Sequence, residues 1–278
     1  MKINSELPIT LLHLNEELNE FDLVLFHLYK SEPEYREYFN KMREDHPERM
    51  MILDNSAYEF YVKGEELDLD EYIQVIRDLK PDYYILPDVL MDIKGTLNGV
   101  RDFMEKYYNT IDQNSQPMAV VQGDSIASMN NCLMTYYQMG IKNIAIPFHN
   151  SFFKDEYELC DGDIAYIFAS HNYTEFTKDV RYAAGRCMWV SRNEKMLKNF
   201  NKIHFLGSHC PVEKVYHKTL FPNATMDSGY PVKCALYGWE LENELFKPDV
   251  IIDDFMHREL YQKQIDLIVN NINIFKNY

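Results

Sequence analysis

Short apolar runs recur along the chain, separated by polar turns and by longer stretches whose apolar positions fall three or four residues apart. The runs are Leu23–Tyr29, Met51–Asp54, Tyr83–Leu86, Met118–Gln122, Asn143–Pro147, Ile203–Gly207, Ala224–Asp227 and Val250–Ile252. They are rich in Val, Ile, Leu, Tyr and Phe, as strands covered on both faces should be. Between them lie helix-like stretches at Glu34–Glu44, Leu69–Leu79, Gly95–Tyr107, Ile126–Met139 and Pro211–Leu220, and a last one at His257–Phe275.

Strands that alternate with helices pair in parallel, and eight of them predict an α/β fold, a (β/α)8 TIM barrel forming one catalytic domain over residues 1–278. Pro81, Pro117 and Pro248 stand just before strands, where a missing N–H breaks no central ladder. Pro211 opens a helix, where that N–H is dispensable. A doubly wound open sheet is the rival architecture, but no GxGxxG follows the first run. One connection, residues 149–201 between the fifth and sixth runs, is long enough to predict an insertion or lid.

Charge and cysteine usage narrow the setting. The net charge of −16 opposes a simple nucleic-acid-binding protein, because phosphate contacts require Lys and Arg. From Lys178 to Lys202, however, seven basic residues face two acidic ones. Arg181, Arg186, Arg192, Lys195 and Lys198 are therefore candidate contacts to a nucleic-acid backbone, with a solvated helix face as the plain alternative. The five cysteines are scattered without CxxC spacing, which predicts reduced thiols and neither a disulfide frame nor a zinc knuckle. No basic, apolar leader opens the sequence and no apolar run is long enough to span a bilayer, so a cytoplasmic protein without membrane contact is expected.

In a barrel the chemistry sits at the C-terminal ends of the strands. Those ends carry Asp54, Asp88, Gln122-Gly123, Phe148-His149, Gly207-Ser208-His209 and Asp227. One such Asp is an ordinary helix cap, whereas carboxylates at successive strand ends are hard to explain by capping. HxH, HExxH and clustered Cys/His spacings are absent, so neither a metal nor another cofactor is expected. A carboxylate pair suits attack at an anomeric carbon, one residue acting on the carbon and the other moving a proton. A further Asp and a Gln can read the edge of a heterocycle, and Tyr58 offers a face on which to stack it. The residues themselves thus point to cleavage or exchange at a glycosidic bond.

At these positions the sequence resembles the tRNA-guanine transglycosylase family, including its DNA-modifying relatives that insert 7-deazaguanine bases. Leu53-Asp54-Asn55-Ser56-Ala57-Tyr58-Glu59 is similar to the family's LDSGGFQ block, Asp82 to Asp88 to its next strand, and Val120-Val121-Gln122-Gly123 to its IVQGG block. Phe205 to Pro211 is similar to LMGVGTP, and Asp227-Ser228-Gly229-Tyr230-Pro231-Val232-Lys233 keeps a D-x-x-x-P-x-R spacing with Lys for Arg. The resemblance implies Asp227 as covalent nucleophile and Asp54 as the proton-transferring carboxylate. It also implies a base pocket of Ser56, Tyr58, Asp88, Gln122, Gly123, Phe148, His149, Leu206, Gly207 and Lys233. The partners implied are a nucleic acid and a free 7-deazaguanine base.

Departures from the family pattern bear on the substrate. No C-x-C-x-x-C…H zinc subdomain follows the nucleophile strand, and Ile146-Pro147-Phe148-His149 replaces the family's GGL block. DNA is therefore the expected substrate ahead of tRNA. Two alternatives use the same residues: an N-glycosidase or nucleoside deoxyribosyltransferase, and a non-catalytic base- or nucleotide-binding protein.

Overall fold

A computed structural model of the chain describes residues 1–148, 152–153, 162–170, 178–241 and 255–278. Eight strands lie in one parallel sheet: β1 Lys2–Ser5, β2 Asp22–Leu25, β3 Met51–Asp54, β4 Tyr83–Ile85, β5 Gln116–Val120, β6 Asn143–Pro147, β7 Lys202–Leu206 and β8 Thr225–Ser228. Their order, β1-β8-β7-β6-β5-β4-β3-β2, with helices in the connections, is that of a (β/α)8 barrel. The chain divides into two compact units, one of residues 21–147 and 199–202, the other of residues 1–20, 148–198 and 203–278.

In the unit of residues 21–147, the helices are α2 Phe26–Ser31, α3 Pro33–Asp45, α4 Ala57–Lys63, α5 Leu69–Leu79, α6 Ile93–Lys106 and α7 Ile126–Met139, α1 being Asn15–Leu18 of the other unit. Helix α5 shows why they form. Asp68 caps it by accepting from the Glu71 N–H, and Tyr72, Ile73, Val75, Ile76 and Leu79 make one buried stripe. The Tyr72 hydroxyl reaches across to the carbonyls of Leu53 and Ile85, so the buried phenol stitches α5 to β3 and β4. A Ser125–Ser128 capping box starts α7, and Gly140 at φ 78° ends it in a left-handed turn. Parallel register sets Leu25 opposite Asp54.

In the other unit, α8 is Gly162–Ser170, α9 Lys178–Leu197, α10 Pro211–Leu220, α11 Tyr230–Leu236 and α12 Gln262–Asn277. Strands β1 and β8 pair so that Asn4 lies opposite Asp227. Helix α9 packs on α10 and is buried without a break from Tyr182 to Val190. At Gly185 a Cβ would stand 2.1 Å from the Phe153 carbonyl oxygen, so only glycine allows that approach. No described helix is long and apolar enough to cross a membrane.

Two sequence expectations shift. The N-terminal β1 was not among the expected strands, because Lys2-Ile3-Asn4-Ser5 has a single large apolar residue. The run Leu23–Tyr29 is strand only to Leu25 and then turns into α2; residues buried on both faces carry no period that separates strand from helix. The expected strand Val250–Ile252, with Pro248, lies outside the described residues. Within the stretch expected as an insertion, residues 178–197 form α9, the helix that precedes β7.

Candidate active site

Two constellations of polar side chains stand at strand ends, one in each unit. The first is built on β3, β4 and β5. Asp54 closes β3, and its Oδ1 accepts from the Ser56 N–H at 2.6 Å. Ser56 adopts a left-handed backbone, φ 59°, costly for a residue with a Cβ. Its hydroxyl anchors that turn: Ser56 Oγ accepts from the His27 N–H at 3.2 Å and lies 2.9 Å from His27 Nδ1. Asn55 Nδ2 donates to the Leu86 carbonyl and to Asp88 Oδ1, both at 2.8 Å. Gln122 Nε2 donates to Asp88 Oδ2 at 2.8 Å, and Gln122 Oε1 accepts from the Met91 N–H at 3.0 Å.

Each Asp88 oxygen thus accepts one amide hydrogen bond and keeps a second lone pair for a ring or exocyclic N–H. Burial pushes the Asp88 carboxyl above the usual carboxylate range, against the opposing pull of Asn55 and Gln122. Gly123 serves this network by its lack of a side chain, since a Cβ there would stand 2.6 Å from the Met129 nitrogen and from Ser128 Oγ. Tyr58, in the first turn of α4, is 56% exposed, and Val89 and Met91 are exposed beyond β4.

The second constellation surrounds Asp227 on β8, which is 4% exposed. The Gly207 N–H donates to Asp227 Oδ1 at 2.9 Å, and the buried His204 Nε2 lies 3.2 Å from the same oxygen without hydrogen-bonding to it. His204 Nδ1 lies 3.0 Å from Thr225 Oγ1. Gly207 reaches this position through a left-handed φ of 60°. The next residues are locked as well, because Ser228 Oγ donates to the Ser208 carbonyl and Ser208 Oγ to Glu213 Oε2 at 2.9 Å.

Arg186, expected on an exposed backbone-binding face, is instead 0% exposed. Its guanidinium donates to both Glu213 oxygens, at 2.5 and 2.8 Å, and to the carbonyls of Leu206 and Gly207, at 2.8 and 2.7 Å. It also lies over the rings of Phe148 and Phe205. The planar fork lets one side chain hold a carboxylate and two carbonyls together. The charge count along this stretch therefore includes a cation that is not on the surface. Arg181, Arg192, Lys195 and Lys198 are exposed, and Lys198 pairs with Glu194 one turn away.

Cys187 Sγ, Glu213 Oε1 and His217 Nε2 lie within 4.8 Å of one another, close enough for a metal ion. Arg186 already occupies both Glu213 oxygens, and its positive charge opposes a cation there. The cluster instead sets an acid limit on stability. Burial keeps the His217 imidazole below its ordinary pKa, although Glu213 beside it pulls the other way. For Glu213 burial acts upward, but Arg186 and His217 outweigh it and hold the carboxyl at about 2.

Both groups bind fewer protons folded than unfolded, so stability falls as pH drops below about 6.5 for His217, and below about 4.5 toward 2 for Glu213. The expected result is a Tm that declines between pH 6.5 and 5 more steeply in wild type than in His217→Gln. Equal slopes would remove His217 from this account.

The remaining expected pocket residues divide by exposure. Ser56 and Phe148 are 0% and 2% exposed, so each shapes its loop from beneath rather than presenting a surface. Phe148 packs on Tyr182 and His209, and His209 stacks on Tyr230. Leu206 and Gly207 are half-buried, and Lys233 Nζ sits 5.2 Å over the Phe255 ring. His149 lies outside the described residues. His27, Asn55, His204 and Glu213 were not among the sequence candidates. His27 lay inside an expected strand, and His204 inside a run covered on both faces. No protein-family model matches the chain, and no curated protein matches it.

Proposed function

We propose that this protein is a base-exchanging transglycosylase, which replaces guanine in a nucleic acid, DNA ahead of tRNA, with a 7-deazaguanine base. The observation that carries the reading is Asp227: a carboxylate at a strand end, buried, with one oxygen fixed by the Gly207 N–H. Such a group is pre-oriented before substrate arrives, which favours attack over capping.

In this reading the Asp227 carboxylate attacks C1′ of the target nucleotide, forming a C1′–O bond as the C1′–N9 bond of guanine breaks. The bonding pair leaves with guanine, which takes a proton delivered by Asp54. The incoming 7-deazaguanine then gives its N9 proton to the Asp54 carboxylate, and N9 attacks C1′ and expels Asp227. Asp88 and Gln122 read the base edge and Tyr58 stacks on its face. The target nucleotide has to leave its stack, so flipped or unpaired positions are preferred.

The test is incubation with radiolabelled guanine and, separately, duplex DNA, single-stranded DNA or bulk tRNA. Label entering one polymer with wild type, and not with Asp227→Ala, supports the reading and names the polymer. Absence of label from all three contradicts it. A second reading, glycosyl transfer or hydrolysis on free nucleosides through the same carboxylates, is favoured by the burial of Arg186, which removes a cation from the expected phosphate-binding face. Release of free base from a nucleoside, without incorporation into any polymer, would select it.

A further inference from the structure

Asp54, the proton-handling carboxylate of the proposed reaction, leans on a strained neighbour. The Ser56 N–H donates to Asp54 Oδ1 at 2.6 Å while Ser56 holds a left-handed backbone, φ 59°. A residue with a Cβ keeps that conformation only where its surroundings enforce it. The enforcement comes from the adjoining strand: Leu25, the last residue of β2, lies opposite Asp54, and the chain runs on into His27 in the first turn of α2. His27 meets the Ser56 hydroxyl twice, through its backbone N–H at 3.2 Å and its ring Nδ1 at 2.9 Å.

A count of hydrogens assigns the roles in the ring contact. Ser56 Oγ has one hydrogen and two lone pairs. The His27 N–H takes one lone pair, and Ser56 is 0% exposed, so the hydroxyl hydrogen has to find its acceptor inside the protein. Among the described residues, the acceptor in reach is His27 Nδ1. Ser56 therefore donates to Nδ1, and His27 is neutral with its proton on Nε2.

We propose that His27 is a positioning residue of the reaction and acts through Ser56: its bare Nδ1 pins the Ser56 hydroxyl, the pinned hydroxyl holds the left-handed turn, and the turn aims the Ser56 N–H at Asp54 Oδ1. The assignment rests on the transglycosylase reading and deepens it, since it names what keeps Asp54 in line with the guanine it protonates. Without the tether the turn relaxes toward an ordinary φ and carries the N–H off the carboxylate. A misplacement of about 1 Å is enough to cost roughly a hundredfold in rate.

The experiment measures base exchange in a single turnover, with an oligonucleotide that wild type accepts, for His27→Leu, His27→Asn, Ser56→Gly and the double variant Ser56→Gly with His27→Leu. His27→Leu removes the acceptor and keeps the bulk, so the rate at saturation falls about 10 to 100-fold with KM little changed. His27→Asn sets an amide oxygen near the former Nδ1 and recovers most of that loss, which a packing role would not predict. Glycine takes the left-handed φ without strain. In the Ser56→Gly background His27→Leu therefore costs less than about twofold, because the tether is already gone. The 15N shifts of His27 in unsubstituted protein should report a protonated Nε2 and a bare Nδ1, a measurement that stands even if a variant fails to fold.

Exchange at the wild-type rate in His27→Leu, or an Nδ1–H tautomer, overturns the positioning role and leaves the transglycosylase reading standing. An undiminished effect of His27→Leu in the Ser56→Gly background also overturns it, because His27 would then act directly and not through Ser56. Failure of wild type to exchange base in any polymer overturns the transglycosylase reading first, and the role with it.

Discussion

On the proposed transglycosylase reading, Asp227→Asn is expected to lower base exchange by about four orders of magnitude or more, the scale seen when the nucleophile of a covalent mechanism is removed. The amide has nearly the shape of the carboxylate and no charge with which to attack C1′. The Gly207 N–H can still donate to the amide oxygen, so the strand end keeps its geometry and Tm changes by only a few degrees. The prediction separates chemistry from folding: a single-turnover assay and a melt on the same sample give opposite answers. Exchange within tenfold of wild type would show that Asp227 merely caps its strand.

Arg186→Ala is expected to give the largest loss of stability. It leaves Glu213 charged at 0% exposure with its main counter-ion gone, and strips a donor from the Leu206 and Gly207 carbonyls. Breaking one side of a buried pair costs about 3–5 kcal/mol, and for a chain somewhat above 250 residues each kcal/mol moves Tm by roughly 2–4 °C. A fall of about 10 °C is therefore expected. The double variant Arg186→Met with Glu213→Leu recovers much of it, because the uncompensated charge is what destabilises. A fall of under 2 °C in Arg186→Ala would mean that the pair does not hold the β7 loop. Since Gly207 in that loop contacts Asp227, residual folded protein should also be slow in exchange.

The barrel was legible in the sequence because its internal strands are short, apolar and separated by strongly periodic helices. Helices α5, α7 and α10 run over the residues the pattern marks, each having a cap or a proline at its start. Strand β1 was hidden because one apolar residue in four makes no pattern; its pairing with β8 recruits it. Asp54, Asp88, Gln122 and Asp227 were visible as acids and an amide just where apolar runs end. Their supports were not. Asn55, His27 and His204 become partners only when separate strands are set side by side, and no spacing along the chain encodes that. Arg186 shows the converse error: in sequence it belongs to a basic stretch, and only packing reveals that its charge is spent on Glu213.

The account turns on a covalent bond between Asp227 and a nucleotide, and mass spectrometry of the denatured, protease-digested reaction mixture tests it most directly. Wild type trapped with guanine-containing oligonucleotide, and no incoming base to resolve the intermediate, should yield one modified peptide. That peptide should contain Asp227 and carry the glycosyl-linked oligonucleotide, and it should be missing from Asp227→Asn. An unmodified Asp227 peptide in a reaction that exchanges base, or an adduct on any other residue, would contradict the mechanism.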